Sequence, residues 1–258
     1  MRMRDVRIAA LWLAASATAP MGATTVAARL EGRGIRLEFD GALRSRVVAT
    51  LGGGDTVLGP FAASETVTVA GREVADFALA GQQEEQVQDA LGAGHRLVLS
   101  GTAGSLRKSV SVTMYDEFPG LAVFQVRYLN QGQDELSIGA WTNNRHLIAA
   151  AEAQAGPAFW SYQAGSYERR PDWVLPLKPG FAQDNFQGMN ASDYGGGTPV
   201  VDVWRRDVGI AVGHLELTPR QVSLPVAMPQ PSQASVAVTR RAEVRLGPGQ
   251  VFETLRTF

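Results

Sequence analysis

His214 and Glu216 stand two residues apart in Gly209-Ile-Ala-Val-Gly-His-Leu-Glu216, so on an extended backbone their side chains share one face. An imidazole beside a carboxylate suits proton transfer near neutral pH, and sugar-ring mutarotation needs one acid and one base. The same spacing, with Val212, His214 and Glu216 set against Ala211, Gly213, Leu215 and Leu217, also fits a polar outer strand face without catalysis. Glycosidic bond cleavage with retention wants two carboxyls about 5–5.5 Å apart, one of them protonated. Glu168, Asp172, Asp184, Asp193, Asp202 and Asp207 are the acids at hand, and sequence brings no two of them together. Asp172 beside Arg169 and Arg170 reads as a surface ion pair, and Asp193 after Ser192 as an Asx-type turn. With Cys 0 there is no thiolate nucleophile and no cysteine zinc site. His95 and His146 read as turn or strand-end residues without a partner at metal-ligand spacing. No acidic calcium loop, phosphate-cradling glycine motif or G-x-S-x-G serine is present, and Gly52-Gly-Gly54 reads as a turn. No metal or cofactor is expected.

Aromatic side chains give the other chemical signal. Between Phe159 and Trp204 lie nine of the 20 aromatics, and Gly156 to Pro199 holds five prolines and seven glycines. That is too many breakers for regular strands, so the segment reads as one long irregular aromatic loop. Aromatic faces there can stack on the apolar C–H faces of sugar rings, or can simply plug the loop onto the fold. Trp160 and Trp173 are the candidate stacking residues.

The elements that must position them alternate with period two. Ile35 to Phe39, Thr66 to Val69, Arg96 to Leu99 and Val110 to Met114 put apolar or β-branched residues on one face. Leu121 to Leu129 is expected to form a hairpin with Leu136 to Trp141 across the turn-rich Asn130-Gln-Gly-Gln-Asp134. More strands fit Pro199 to Trp204, Gly209 to Leu217, Val222 to Val226, Ser235 to Thr239, Ala242 to Leu246 and Val251 to Phe258. Gln82 to Ala90 and Leu147 to Ala155 each have room for two or three helical turns, though neither has a wide apolar stripe. Many strands between Gly/Pro turns, with no βαβ rhythm, predict an all-β antiparallel sandwich in a single domain over residues 26–258.

Arg2, Arg4 and Arg7, an apolar run from Ile8 to Ala19 and small residues beyond describe a signal peptide over 1–25. The run falls short of the roughly 20 apolar residues of a membrane span. A secreted or periplasmic protein, with no membrane association once the leader is removed, is the expectation. Lys+Arg 24 against Asp+Glu 25, a net charge of -1, argues against a nucleic-acid partner.

Several blocks stand in order: Phe159-Trp-Ser-Tyr-Gln163, Arg170-Pro-Asp-Trp-Val174, Gly188-Met-Asn-Ala-Ser-Asp-Tyr-Gly-Gly-Gly197 and Pro199-Val-Val-Asp-Val-Trp204. Gly209 to Glu216 and Val222-Ser-Leu-Pro-Val226 follow. Together, over about Ile138 to Val226, they resemble the N-terminal region of exported bacterial α-galactosidase-like glycoside hydrolases of the family 36 type. The resemblance implies an antiparallel β-supersandwich of the galactose mutarotase-like kind, followed by a (β/α)₈ barrel that carries the two catalytic aspartates. Such a barrel needs about 250 further residues, which do not follow Phe258 here. No position matches the family's catalytic motifs, so no catalytic residue is assigned and the chain alone is expected to be inactive. Asp193 and Tyr194, with Gly195 to Gly197, are implied to face the barrel, or else to make a tight turn into the next strand. The substrate-binding set is then Trp160, Trp173, Asp193 and Tyr194, the ligand an α-galactoside-like carbohydrate, and the partner a catalytic barrel domain. A free-standing carbohydrate-binding module and a mutarotase-like enzyme using His214 and Glu216 are the alternatives.

Overall fold

The structure is a computed structural model. It describes residues 25–151, 156–163, 173–190, 193–196, 198–217 and 221–258, with only the backbone described for 53, 186–190 and 193–196. The expected leader over 1–24 lies outside these residues. Among the described residues no helix is long and apolar enough to cross a membrane.

Among the described residues every strand pairing is antiparallel, and the strands divide among four sheets and not the two of a simple sandwich. The first sheet is a meander of β1 (Ala28–Glu31), β2 (Ile35–Phe39), β3 (Ser45–Ala49) and β4 (Thr56–Val57). A five-stranded sheet runs in the order β20 (Val251–Glu253), β10 (Val123–Asn130), β9 (Leu106–Tyr115), β8 (Gly92–Ala103) and β7 (Ala78–Asp89). A seven-stranded sheet is ordered β15 (Asp193–Gly196), β14 (Phe181–Asn190), β18 (Val222–Gln230), β19 (Gln233–Leu246), β11 (Leu136–Ala149), β5 (Thr66–Val69) and β6 (Arg72–Val74). The fourth sheet joins β13 (Val174–Pro176), β12 (Trp160–Tyr162), β16 (Val200–Trp204) and β17 (Gly209–Gly213). Among the described residues the only helical element is a 3₁₀ turn at Leu51–Gly53, where the Gly52-Gly-Gly54 turn is expected.

Four expectations are corrected. β10 and β11 do not form a hairpin with each other: β10 pairs with β9 and β20, and β11 with β19 and β5. The Asn130–Asp134 turn therefore crosses from one sheet to another. Gln82 to Asp89 is strand, not helix; β7 is the outer strand of its sheet, and its solvation on both faces removes the alternation that would have marked it. Leu147 to Ala149 likewise continues β11, and 152–155 lie outside the described residues. The Gly156–Pro199 segment is not one irregular loop, because β12, β13, β14 and β15 all lie within it.

Two apolar clusters form the core. The first gathers Leu37, Phe39, Leu97, Val112, Phe124 and Tyr128 from the first and the five-stranded sheets, with Ile138 and Leu246 from one end of β11 and β19. The second lies between the fourth and the seven-stranded sheets and holds Trp141, Phe159, Val201, Val203, Leu224 and Val236. The chain end knits the sheets together. Phe258 exchanges backbone hydrogen bonds with Gly213, at 3.0 and 3.2 Å, while Thr257 does so with Phe124 of β10.

Candidate functional site

Alternation within Phe159-Trp-Ser-Tyr-Gln163 sorts this segment onto two faces. Phe159, Ser161 and Gln163 are buried, whereas Trp160 and Tyr162 are half-buried, Trp160 on the outer face and Tyr162 packed against the second apolar cluster. β16 repeats the pattern, with Val201 and Val203 in the second core and Val200, Asp202 and Trp204 turned outward. Trp160 pairs directly with Trp204, so the two indoles stand side by side on the outer face of the fourth sheet. Pro176 and Val174 flank Trp160 and Tyr162 from β13.

Trp173 joins this surface at its β13 side. Its carbonyl accepts the Gln163 N–H at 2.7 Å, and its ring meets Tyr162 edge-on with centroids 5.6 Å apart. The Trp173 Nε1–H is buried without an acceptor among the described residues. Beneath the aromatic face a buried polar chain fixes β12. Asn185 donates to the Gln163 side-chain oxygen at 2.9 Å and to the Leu224 carbonyl at 3.1 Å, and the Gln163 amide donates to the Ser161 hydroxyl. Asp202 accepts the Tyr162 N–H at 2.7 Å, and burial pushes its carboxyl above the usual range.

The structure thus brings Trp160 and Trp173 to one sheet and adds Tyr162 and Trp204. Asp193 and Tyr194 stand elsewhere, in β15 at the edge of the seven-stranded sheet, and their side chains lie outside the description. That backbone is strand and not the Asx or glycine turn expected, with Gly196 opposite Gly188 and Asp193 opposite Asn190. Trp204 was visible in sequence as a member of an alternating strand, whereas Tyr162 fell in the segment read as an irregular loop. Their adjacency was not visible, because it depends on β12 choosing β16 as its partner.

The described acids are spoken for separately. Asp207 is ion-paired with Arg205 at 2.8 Å, which holds its carboxyl below the usual range, and Asp184 accepts the Ser223 hydroxyl at 3.1 Å. Glu168 and Asp172 lie outside the described residues. His214 is buried past the end of β17, not on a polar outer face, and bridges to Thr257. Its Nδ1 accepts the Glu216 backbone N–H at 3.3 Å, and the Glu216 carboxylate accepts the Arg256 N–H at 3.1 Å. Burial lowers the His214 pKa, with Glu216 opposing the shift. Among the described residues no cluster of three or more His, Asp or Glu side chains could hold a metal ion.

No protein-family model matches the chain, nor does any curated protein. Solved structures do. An α-galactosidase from Lactobacillus brevis superposes with a TM-score of 0.61 at 13% identity, over 89% of this chain and 38% of that one. The α-N-acetylgalactosaminidase NagBb from Bifidobacterium bifidum, solved with Gal-NHAc-DNJ, gives a TM-score of 0.54 at 14% identity, over 90% of this chain and 35% of that one. Its complex with GalNAc gives 0.52 at 14% identity, over 90% and 36%. At these identities the likeness is one of fold: an all-β antiparallel unit found within larger glycosidases. The chain spans little more than a third of the solved structures it resembles.

Proposed function

We propose that this chain is the β-supersandwich domain of an exported α-galactosidase-like glycoside hydrolase of the family 36 type. In this reading it forms one domain over residues 26–258 and contributes a wall to a saccharide cleft whose bond-breaking acids reside on a separate (β/α)₈ barrel. The observation that carries the reading is the fold likeness to about a third of two enzymes named for α-galactosidase and α-N-acetylgalactosaminidase activity. The outward Trp160 and Trp204, with Tyr162 and Trp173 beside them, support it chemically, since aromatic faces suit the apolar faces of a sugar. That face also favours the second reading, a carbohydrate-binding module that acts without a barrel. The mutarotase alternative gains nothing from the geometry, because the Nδ1 of His214 is already engaged by backbone.

The test uses the purified chain. It is expected to leave a chromogenic α-galactoside intact; turnover abolished by one carboxylate substitution overturns the reading. Titration with galacto-oligosaccharides is expected to change tryptophan fluorescence saturably, and Trp160→Ala with Trp204→Ala to abolish the change while leaving the unfolding midpoint within a few degrees. Binding tight enough to survive size-exclusion chromatography favours the module. An unresponsive fluorescence signal removes the wall.

A further inference from the structure

A cavity of about 610 Å³ is walled by β2, β3, β10, β11 and β17 and by the turns that precede β2 and β10. It shares no residue with the Trp160 and Trp204 surface, and its volume is that of a small-molecule site. Ile35, Leu37, Val47, Leu58, Phe124 and Val212 make its walls apolar. All but Ile35 are buried members of the two cores, so the chamber is built by the fold itself.

Arg33 stands at the rim, in the turn Gly32-Arg33-Gly34 between β1 and β2, where Gly34 has a φ of +85°. Two hydrogen bonds clamp this turn to the one before β10. The Arg33 carbonyl accepts the Gly120 N–H at 2.8 Å, and the guanidinium donates to the Asp116 carbonyl. That single bond leaves the other guanidinium donors exposed, and among the described residues Arg33 forms no ion pair. Neighbouring Glu31 pairs with Arg36 at 3.5 Å, and Asp116 gives Arg33 only its backbone oxygen. Asp207, the other charged side chain at the cavity, is tied to Arg205 at 2.8 Å. The chamber therefore has one uncompensated positive charge, held in place at its mouth.

Its interior offers little to a polar ligand. The amide oxygen and nitrogen of Asn144 are buried within the wall, and His146 is almost wholly buried. A sugar would leave its hydroxyls unpaired there, and a polyanion would outnumber the single guanidinium. An apolar tail ending in one carboxylate satisfies both parts, because a guanidinium fork matches a carboxylate in two parallel hydrogen bonds. We infer that this cavity binds a monocarboxylate of the medium-chain fatty-acid class, the tail filling the aliphatic chamber and the carboxylate pairing with Arg33 at the rim.

The probes are butanoate, hexanoate and octanoate, with 1-octanol as the uncharged counterpart, added to the full chain and followed by methyl ¹H–¹³C NMR. Octanoate is expected to shift the Ile35, Leu58 and Val212 methyl signals saturably. Affinity should rise about threefold with each added methylene, as a buried tail requires. Arg33→Gln is expected to keep the unfolding midpoint, to weaken octanoate about fivefold and to leave 1-octanol within about twofold. Arg33→Lys should restore most of that loss. Methyl signals that ignore octanoate overturn the inference, as does an affinity that is flat with chain length. So does an Arg33→Gln variant that binds octanoate as the wild type does, or one that weakens octanoate and 1-octanol equally.

Discussion

His146 shows how one buried titratable side chain sets a pH dependence. Burial alone brings its imidazole from the ordinary 6.5 to about 4. Between those values the unfolded chain holds a proton that the folded chain refuses, so stability falls as pH drops from 6.5 towards 4. At pH 4.5 this group is expected to have removed about 2–3 kcal/mol relative to pH 7. His146→Gln should lose correspondingly less over that interval in urea titrations; parallel pH profiles for the two proteins would mean that the ring takes up its proton while folded. Lys108 presents the opposite case, a charge kept inside with partners. It is fully buried, donates to the Glu65 carbonyl at 2.9 Å and lies 4.5 Å from the Phe77 ring centroid. Burial brings its pKa down to about 8 and pushes the Glu65 carboxyl up, while their mutual attraction opposes both shifts. Lys108→Met strands Glu65 and should cost about 3–5 kcal/mol, with Glu65→Gln added on top recovering at least half. Denaturant midpoints of the two variants check this; no recovery in the double variant would show that the lysine acts through packing alone. Alternation puts Lys108 on the inward face of Leu106, Val110 and Val112 and Arg107 on the other, but nothing in the sequence foretold the Glu65 carbonyl that receives the buried ammonium.

Strands whose two faces meet different surroundings were legible, and strands whose faces meet the same one were not. Val222–Val226 forms as the alternation predicts, with Val222, Leu224 and Val226 buried and Ser223 and Pro225 less so. β7, wet on both sides, carries no periodic signal, and its Gln- and Glu-rich stretch passes for helix. The Asn130–Asp134 turn was correctly seen as a turn, but turn chemistry says nothing about whether the next strand folds back or moves to another sheet. Sheet choice rests on long-range burial, which also explains why Trp160 and Trp204 could not be paired in advance. Glycine within strands makes the same point testably. A Cβ on Gly213 of β17 would stand 2.1 Å from the Pro199 carbonyl oxygen and 2.8 Å from the Phe258 ring, whereas on Gly139 of β11 the nearest atom is the Thr68 methyl at 3.8 Å. Gly213→Ala is therefore expected to destabilise by about 1–3 kcal/mol or more by prising β17 from the chain end. Gly139→Ala should stay within about 0.5 kcal/mol of wild type. Equal midpoints for the two variants would show that the β17 contact yields without cost.

Across the whole molecule, the two apolar clusters share walls. Ile210, Ala242 and Phe252 pack against both. The 14-residue strands β11 and β19 run through both: Ile138 and Leu246 sit in the first cluster, and Trp141, Ile148, Val236 and Val238 in the second. A break between the clusters would have to cut the ladder joining these two strands, which spans Leu136–Ala149 on one side and Gln233–Leu246 on the other. Unfolding one cluster would also strip apolar cover from the other, so the two should melt as one unit even though four sheets are present. The tryptophans make this measurable, because Trp141 lies in the second cluster and Trp160 and Trp204 on strands of the sheet that covers it, whereas far-ultraviolet circular dichroism reports strands throughout. Fluorescence and circular dichroism are expected to give the same urea midpoint. Ile138→Ala, placed in the first cluster only, should lower the fluorescence midpoint of the second by as much as the dichroism midpoint, corresponding to about 2–5 kcal/mol. A fluorescence transition left in place by that substitution would mean that β11 and β19 join two independently folding halves, and the fourth sheet would then owe its geometry to the second cluster alone.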